Sequence, residues 1–550
     1  MKYLRLFLLS FSPLFTMAQG QPTAPLENVV ITSDGKKTEV RTNEKGELII
    51  NVSKKDVQKF KARGVVRYRD FGARGNGKTD DIDAIAATHA FANQHKLQVK
   101  ADDNASYYIS GKNRTAVIQT DTDFGKAQFI IDDTGVEDRT AQVFLVSSSL
   151  QAYKLEGISS LKRNQKKIDV SLPGTCIITV TDSNVKRYIR FGANQNNGAS
   201  QTDIFIVDKD GNVDMNAPII WDFDQITDIT ALPIDKDTLT ITGGRFTTIA
   251  NNAESKYTYY NRGIAIKRSN VVVKGLEHRV TGEGDHGAPY GGFLLVSDCS
   301  YVTVRDAILT GHKVYETIGR AGVTVSMGTY DLSVNRALNV SFVNCRQTND
   351  INDSRYWGIM GSNYSKNLLY DGCVFSRFDA HMGVANATIR NSTLGHQGIN
   401  AIGSGIFTVE NTTIRGRSLV NLRSDYGSTW QGELLIRNCT FIPAGGKPIS
   451  ASLIGGSYSG QHDFGYTCYM PERITIEGLR IDDSKHPEAY NGPAIFGNFN
   501  ADMKDDSYVE KYPYVRTREV ILRNVTIASG QSLRLSDNPF MFKDVKVDTE

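Results

Sequence analysis

One phrase recurs through the second half of the chain: a short β-branched run, one polar or glycine turn residue, and another short run. From Val271 onward it reads VVVKGLEH, YVTVRDAIL, LNVSFVNCRQ, NLLYDGCVF, NATIRNSTL, IFTVENTTI, ELLIRNCTF, RITIEGLRI and VILRNVTI. The turn residues are Gly275, Asp306, Asn344, Gly372, Asn391, Asn411, Asn438, Gly478 and Asn524. The shortest steps, 372 to 391 and 391 to 411, are 19 and 20 residues. Strands at that period with no helical pattern between them predict an all-β fold, a right-handed parallel β-helix, with each longer step holding a loop inserted at a corner. Asparagine suits such corners because it tolerates the left-handed backbone state and can bond the Asn one coil away, so a ladder is expected through Asn391, Asn411 and Asn438. A sandwich or barrel would join its strands by antiparallel hairpins, which this phrase does not do. TLTITGGRF, ending at Phe246, reads as an earlier copy, so the solenoid is expected over 105–550.

Composition removes other classes. Lys plus Arg number 63 against 60 Asp plus Glu, a net charge of +3, which gives no bulk electrostatic drive toward nucleic acid. The six cysteines form no C-x-x-C pair and are too sparse for a disulfide scaffold; Cys345, Cys373 and Cys439 share one place in the phrase and read as buried small apolar residues. At the N-terminus Lys2 and Arg5 precede an apolar run from Leu6 to Met17 and then Ala18, the order of a secretory signal over 1–19. With no later apolar run and no cysteine at the cleavage region, a soluble exported monomer, periplasmic or secreted, is expected, without membrane insertion or lipid.

Residues 20–65 hold short alternating stretches around Asp-Gly and Lys-Gly turns, a small β unit. Over 66–104 a glycine-punctuated turn leads into a helix from about Ile82 to His95, capped by Asp80 or Asp81, which would cover the open end of the solenoid. Gly72 to Thr79, GARGNGKT, matches the phosphate-loop pattern in full, but the chain offers β repeats where that motif needs an α/β nucleotide domain.

The stretch RDFGARGNGKTDDIDAIAATHAFANQHK resembles the opening of the pectate-lyase-like superfamily of secreted carbohydrate enzymes and phage tailspikes, specifically over about 69–135. Here KADDNASYYIS replaces the family's usual proline-glycine phrase after the helix. The resemblance implies the β-helix; the superfamily holds lyases, hydrolases and non-catalytic binders alike. As a whole, the exported β-helix with one Arg/His/Tyr-rich segment looks most like the Bacteroidetes lyases of uronate-containing glycans, glycosaminoglycans among them.

That segment is 346–437, containing RYWG, RFDAHM, LGHQGIN and RGRSLVNLRSDY. Stacked coils repeat outward positions about every 4.8 Å, so one face can follow a chain-like ligand. Counting from the turns sets Arg377 beside His396, with Arg415 or Arg417 beyond, and sets His381 near Asn400, Arg423 and Tyr426. Cleaving a uronate by β-elimination needs the carboxylate neutralised, a base for the C5 proton and an acid for the leaving oxygen. His396 and His381 are expected in the neutralising and proton-abstracting roles, Asn400 and Arg423 on the carboxylate, and Tyr426 as acid. Arg355, Arg377 and Arg415 would bind the acidic polysaccharide, and Tyr356 and Trp357 would offer ring faces, with Arg320 and Tyr330 at a groove wall.

Two alternatives compete. A hydrolase needs paired carboxylates, about 5–5.5 Å or 6.5–9.5 Å apart, for which Asp350 with Asp353 and Glu283 with Asp285 are candidates, while Asp379 has no acid at the stacked position. A glycan-binding or adhesin protein needs no catalytic set. No cofactor is expected firmly; the loop with Glu283, Asp285 and His286, near His278 and His312, is the candidate for a divalent cation such as calcium, although six to eight oxygen ligands are not evident there.

Overall fold

The computed structural model describes residues 28–549 apart from 137, 190–197, 255–258, 285–286, 288, 319–323, 458–466 and 511–512. The signal reading over 1–19 and the residues Asp285, His286 and Arg320 therefore lie outside the described residues.

The repeated phrase folds as a right-handed parallel β-helix. Its strands join one continuous sheet network through parallel pairings of matching positions in successive coils, such as Val302, Val340 and Leu368, or Leu434, Ile474 and Val520. Each coil contributes to three faces. The first carries two-residue strands such as Thr413–Ile414, paired with Thr393 and Leu394, the second includes Phe378, Ile399 and Val420, and the third includes Leu368, Ala387 and Phe407. Inward positions are mostly Val, Ile, Leu and Phe, with Ala, Cys and a few larger rings such as Tyr370 and Trp430, and form one apolar column, because alternate residues of every strand point to the axis.

The turn residues make this geometry possible. Asp306, Asn344, Asn391, Asn411, Asn438 and Asn524 have φ between 47° and 55°, and Gly275, Gly372 and Gly478 lie at 66–69°, all in the left-handed region. Asn411 Nδ2 donates to Asn391 Oδ1 at 3.4 Å, and Asn391 Nδ2 to Asp371 Oδ1 at 2.9 Å. A tighter ladder stands at the corner between the second and third faces, where Asn367 Nδ2 donates to Asn339 Oδ1 at 2.9 Å and Asn386 Nδ2 to Asn367 Oδ1 at 3.3 Å. All six cysteines are free and buried.

The N-terminal unit is a three-stranded sheet of Val29–Thr32, Leu48–Asn51 and Glu39–Thr42, followed by helix α1, Lys54–Arg63, which the sequence reading does not anticipate. Ser53 caps α1 by accepting the Asp56 N–H, and Gly64 ends it in the left-handed state. Helix α2, Ile82–His95, buries Ile82, Ile85 and Phe91 against the first coils. Asp81 stands at its N-cap position but turns its carboxylate back, accepting the N–H of Arg74 at 2.6 Å and of Gly75 at 2.9 Å. The glycine turn that matches a phosphate loop thus spends two backbone donors on its own aspartate.

Between Phe144–Ser147 and Leu239–Ile249 the chain leaves the solenoid. Tyr153–Lys154, Cys176–Arg187, Ala199–Val207 and Asp228–Pro233 form an antiparallel sheet with its own core around Ile178, Phe205 and Phe223. This inserted sheet lies along the corner between the second and third faces. There Ile177, Ile204 and Ile206 pack on Leu338, and a buried Lys366 Nζ meets Asp203 Oδ1 at 2.7 Å. Among the described residues no helix is long and apolar enough to cross a membrane.

Candidate functional site

A buried carboxylate organises the outward side of the second face. Asp379, paired in register with Asn400 and through it with Asn421, is fully buried although its position in the strand points away from the axis. Arg423, in the loop after Ser418–Leu422, sets Nη1 2.9 and 3.0 Å from its two oxygens, and Arg377 sets Nη2 2.6 Å from Oδ2. Burial pushes the Asp379 carboxyl up, but Arg377, Arg423 and His381 outweigh it and hold it below the usual range, so it is ionised at neutral pH.

Two guanidiniums against one carboxylate leave a net positive charge. Arg377 is itself nearly buried, lies 5.2 Å from the Trp357 ring centroid, and has Nε and Nη1 without hydrogen-bond partners among the described residues. Gly358 is what lets it lie there, since a Cβ at that position would come within 2.2 Å of the Arg377 Cδ. Tyr330 stands half-buried over Gly361 at the same place, and its hydroxyl is held protonated by burial and by Asp379.

His381 enters this face through a bulge. Ser362 pairs with Ala380 and Asn363 with Met382, so His381 has no opposite residue and its side chain is re-aimed. Its Nδ1 lies 3.0 Å from Asn363 Oδ1, which accepts from a protonated Nδ1, and its Nε2 lies 3.4 Å from the Tyr426 hydroxyl. The rings meet edge to face at 5.2 Å. Tyr426 is in turn packed by Tyr188 of the inserted sheet and by Ile402.

The structure gathers Arg377, His381, Arg423, Tyr426, Trp357 and Tyr330, and adds Asp379 and Asn363, which the sequence reading did not assign to the site. The repeat held a signal for Asn363, because SVNRALNVSF and GSNYSKNLLY align it with Asn335.

Other expected members stand elsewhere. His396 is not the neighbour of Arg377: between Leu394 and Gly398 three residues face the single Ser376, so Arg377 pairs with Gly398. Both the backbone N–H and Nδ1 of His396 turn to the Ile351 carbonyl, each at 3.0 Å. Asn400 Nδ2 donates to Gln397 O and its Oδ1 accepts from Asn421 Nδ2, so its amide belongs to a ladder. Arg355 projects to solvent, 80% exposed, and pairs with Asp353 of its own loop at 2.6 Å, with half-buried Tyr356 beneath it. Arg415 is half-buried and has no side-chain hydrogen bond or ion pair among the described residues. The hydrolase candidates are likewise committed, Asp350 to Asn352 and Asp353 to Arg355.

A second polar cluster is built on the buried His278, His312 and Asp331, with half-buried Glu283 at its edge. Asp331 Oδ1 lies 2.7 Å from His278 Nδ1 and 3.2 Å from His312 Nε2, and His312 Nδ1 lies 3.2 Å from Glu283 Oε1. Burial draws the His312 pKa down, but bonds to Asp331 and Glu283 outweigh it and lift it to about 9, while the two histidines hold Asp331 ionised. The Glu283 carboxylate, raised above as a cation ligand, is here the partner of a protonated histidine. Among the described residues no group of three or more His, Cys, Asp or Glu is placed to hold a metal ion.

Comparison with known proteins adds context at low similarity. No family model matches the chain. A capsule-specific depolymerase of a Klebsiella phage is 29% identical over 115 residues, 17% of this chain; the match spans only 11% of that protein's length. Among solved structures, the tailspike of Pseudomonas phage LKA1 is 13% identical with a TM-score of 0.48, covering 86% of this chain and 83% of that one. The tailspike of Pseudomonas phage phi297 is 13% identical with a TM-score of 0.47, covering 84% and 80%. PfbA, a surface adhesin of Streptococcus pneumoniae, is 10% identical with a TM-score of 0.40, covering 85% and 93%.

Proposed function

We propose that this chain is an exported polysaccharide lyase that cleaves a uronate-containing glycan by β-elimination on the outward side of the second face. The observation that carries the reading is the company His381 keeps: a base–acid pair with Tyr426, beside two arginines that outnumber the one carboxylate between them. In this reading the net positive charge of Arg377, Arg423 and Asp379 receives the substrate carboxylate, which makes the C5 proton more acidic. His381 Nε2 takes that proton, the C4–O bond breaks as the C4–C5 double bond forms, and the Tyr426 hydroxyl gives its proton to the departing oxygen. Proton return from His381 to Tyr426 then restores the pair. Trp357 supplies a ring face at the groove edge.

Hydrolysis fits less well, because it needs a second carboxylate and the charged groups that act most strongly on Asp379 are Arg377, Arg423 and His381. A glycosaminoglycan such as chondroitin or hyaluronan is favoured over a pectin, on the wider resemblance and on the slight excess of arginine over acid in 346–437. The test is continuous ultraviolet absorbance against hyaluronan, chondroitin, heparosan, alginate and polygalacturonate. A rising signal from the conjugated unsaturated uronate, abolished by His381→Ala, is expected. Reducing ends without that signal would refute elimination.

A further inference from the structure

The solvent side of helix α1 is a patch of uncompensated positive charge. Lys54, Lys55, Lys59 and Lys61 are all exposed, and none forms an ion pair among the described residues. At 3.6 residues per turn they share one arc of about 160° with Gln58 and Ala62, while Asp56, Val57 and Phe60 fall outside it. The one acid of the helix is occupied elsewhere: Asp56 Oδ2 accepts from the hydroxyls of Ser53 at 2.7 Å and Thr38 at 2.8 Å.

Helix α2 extends the patch. Phe60 meets Phe91 edge to face at 5.8 Å, which brings the ends of the two helices together, and α2 closes on exposed Lys96. Burial and then the charge of Lys61 lower the pKa of neighbouring His95, so the field of α1 reaches that end. The β unit and cap together, residues 28–104, hold 15 Lys and Arg against 11 Asp and Glu, an excess of four in a chain whose total is +3.

We infer that this face is a docking surface for the acidic polysaccharide, a second contact that long chains make at the end of the solenoid, apart from the cleavage site. The inference rests on the reading of the substrate as a uronate-containing glycan. Charge complementarity selects the occupant: lysines are compact charges on flexible stems, which hold a polyanion without demanding one geometry, and Lys54 and Lys61 stand about 10 Å apart along the helix, a line that suits an extended chain. A lipid surface fits less well. Val57 and Phe60 are turned to the core, so α1 keeps no apolar side to enter a bilayer.

The distance between the two contacts sets a length requirement. Val99 beside α2 and Ile389 in the coil of His381 are joined by the register partners Thr122, Ile241, Val273, Val304, Phe342 and Tyr370. Those seven steps of about 4.8 Å add to roughly 34 Å, so short oligosaccharides reach one contact only and long chains gain from both.

The test is calorimetric titration of the His381→Ala chain with short and long forms of the same five glycans over a range of salt. Exchanging Lys54, Lys55, Lys59 and Lys61 together for Gln removes four charges and keeps helix propensity, with circular dichroism checking the fold. Long chains should lose about tenfold in affinity at low salt and become less salt-dependent, while short ones bind as before. Long chains held equally by the parent and the Gln variant would overturn the docking surface and leave the cleavage reading standing. Vesicles of phosphatidylcholine and phosphatidylglycerol that bind the parent and lose the Gln variant, with glycan affinity untouched, would overturn it in favour of a membrane. Failure of the parent to bind any of the five glycans, short or long, would overturn both readings.

Discussion

Replacing Asp379 by Asn tests whether the carboxylate holds the site together. The side chain has no exposure, and its partners differ: Arg377 is 4% exposed and Arg423 is 18% exposed. Removing one partner of a buried pair costs about 3–5 kcal/mol because the other charge is left uncompensated, and Arg377 cannot be rehydrated where it lies. Asp379→Asn should therefore destabilise by about 3 kcal/mol or more. Arg423→Met leaves Asp379 its bond to Arg377, so roughly 1.5–3 kcal/mol, the value of a charged hydrogen bond, is expected. In the double variant the second loss has little left to remove, and a coupling of roughly 1.5–3 kcal/mol should appear. Urea unfolding at neutral pH, followed by tryptophan fluorescence and circular dichroism, measures all three. Because the folded carboxyl lies below its unfolded pKa of about 3.9, its contribution is present above that pH and lost as the pH falls through the lower folded value. Costs that add to within about 0.5 kcal/mol, or an Asp379→Asn cost below about 1 kcal/mol, would refute the organising role.

Three further outcomes follow from the geometry. The folded His312 pKa is raised to about 9, so its stabilisation is full below the unfolded value of about 6.5 and is lost as pH climbs through 9. The thermal midpoint should fall over that window and His312→Gln should flatten the fall; equal slopes would contradict the assignment. Asn391→Val forces a β-branched residue to φ near 52° and should cost roughly 1–2 kcal/mol in denaturant unfolding, against far less for Asn391→Gly. Tyr426→Phe keeps the ring packed on Tyr188 but removes the acid, so kcat should fall by roughly a hundredfold or more with KM little changed; an unaltered kcat would exclude the role.

The solenoid was legible because its corners need the left-handed state, and Gly372, Asn391 and Asn411 announce it by residue type at steps of 19 and 20 residues. Helix α1 carries its own signals in Ser53, Asp56 and Gly64, but its ten residues follow directly on the alternating hairpin stretches, whose pattern masks them. The site was harder to read because register within a coil depends on bulges, which leave no compositional mark. Counting from Asn391 puts His396 beside Arg377, yet two extra residues before Gly398 swing it to Ile351, while the bulge at His381 turns that residue toward Asn363. The inserted sheet escaped for another reason: its alternation resembles that of the coils, and only pairing direction separates them. Tyr188, which buttresses Tyr426 across more than two hundred residues of sequence, could not be placed by any local pattern.

The central claim is that the bond is broken by elimination and not by water. Digesting a glycan that the chain cleaves in water enriched with heavy oxygen, and weighing the products, tests it most directly. The account predicts fragments whose masses sum to that of the parent, an unsaturated new non-reducing end, and no heavy oxygen at the new reducing end beyond slow background exchange. Fragments that together exceed the parent by one water, with the heavy isotope at the cleaved position, would contradict it.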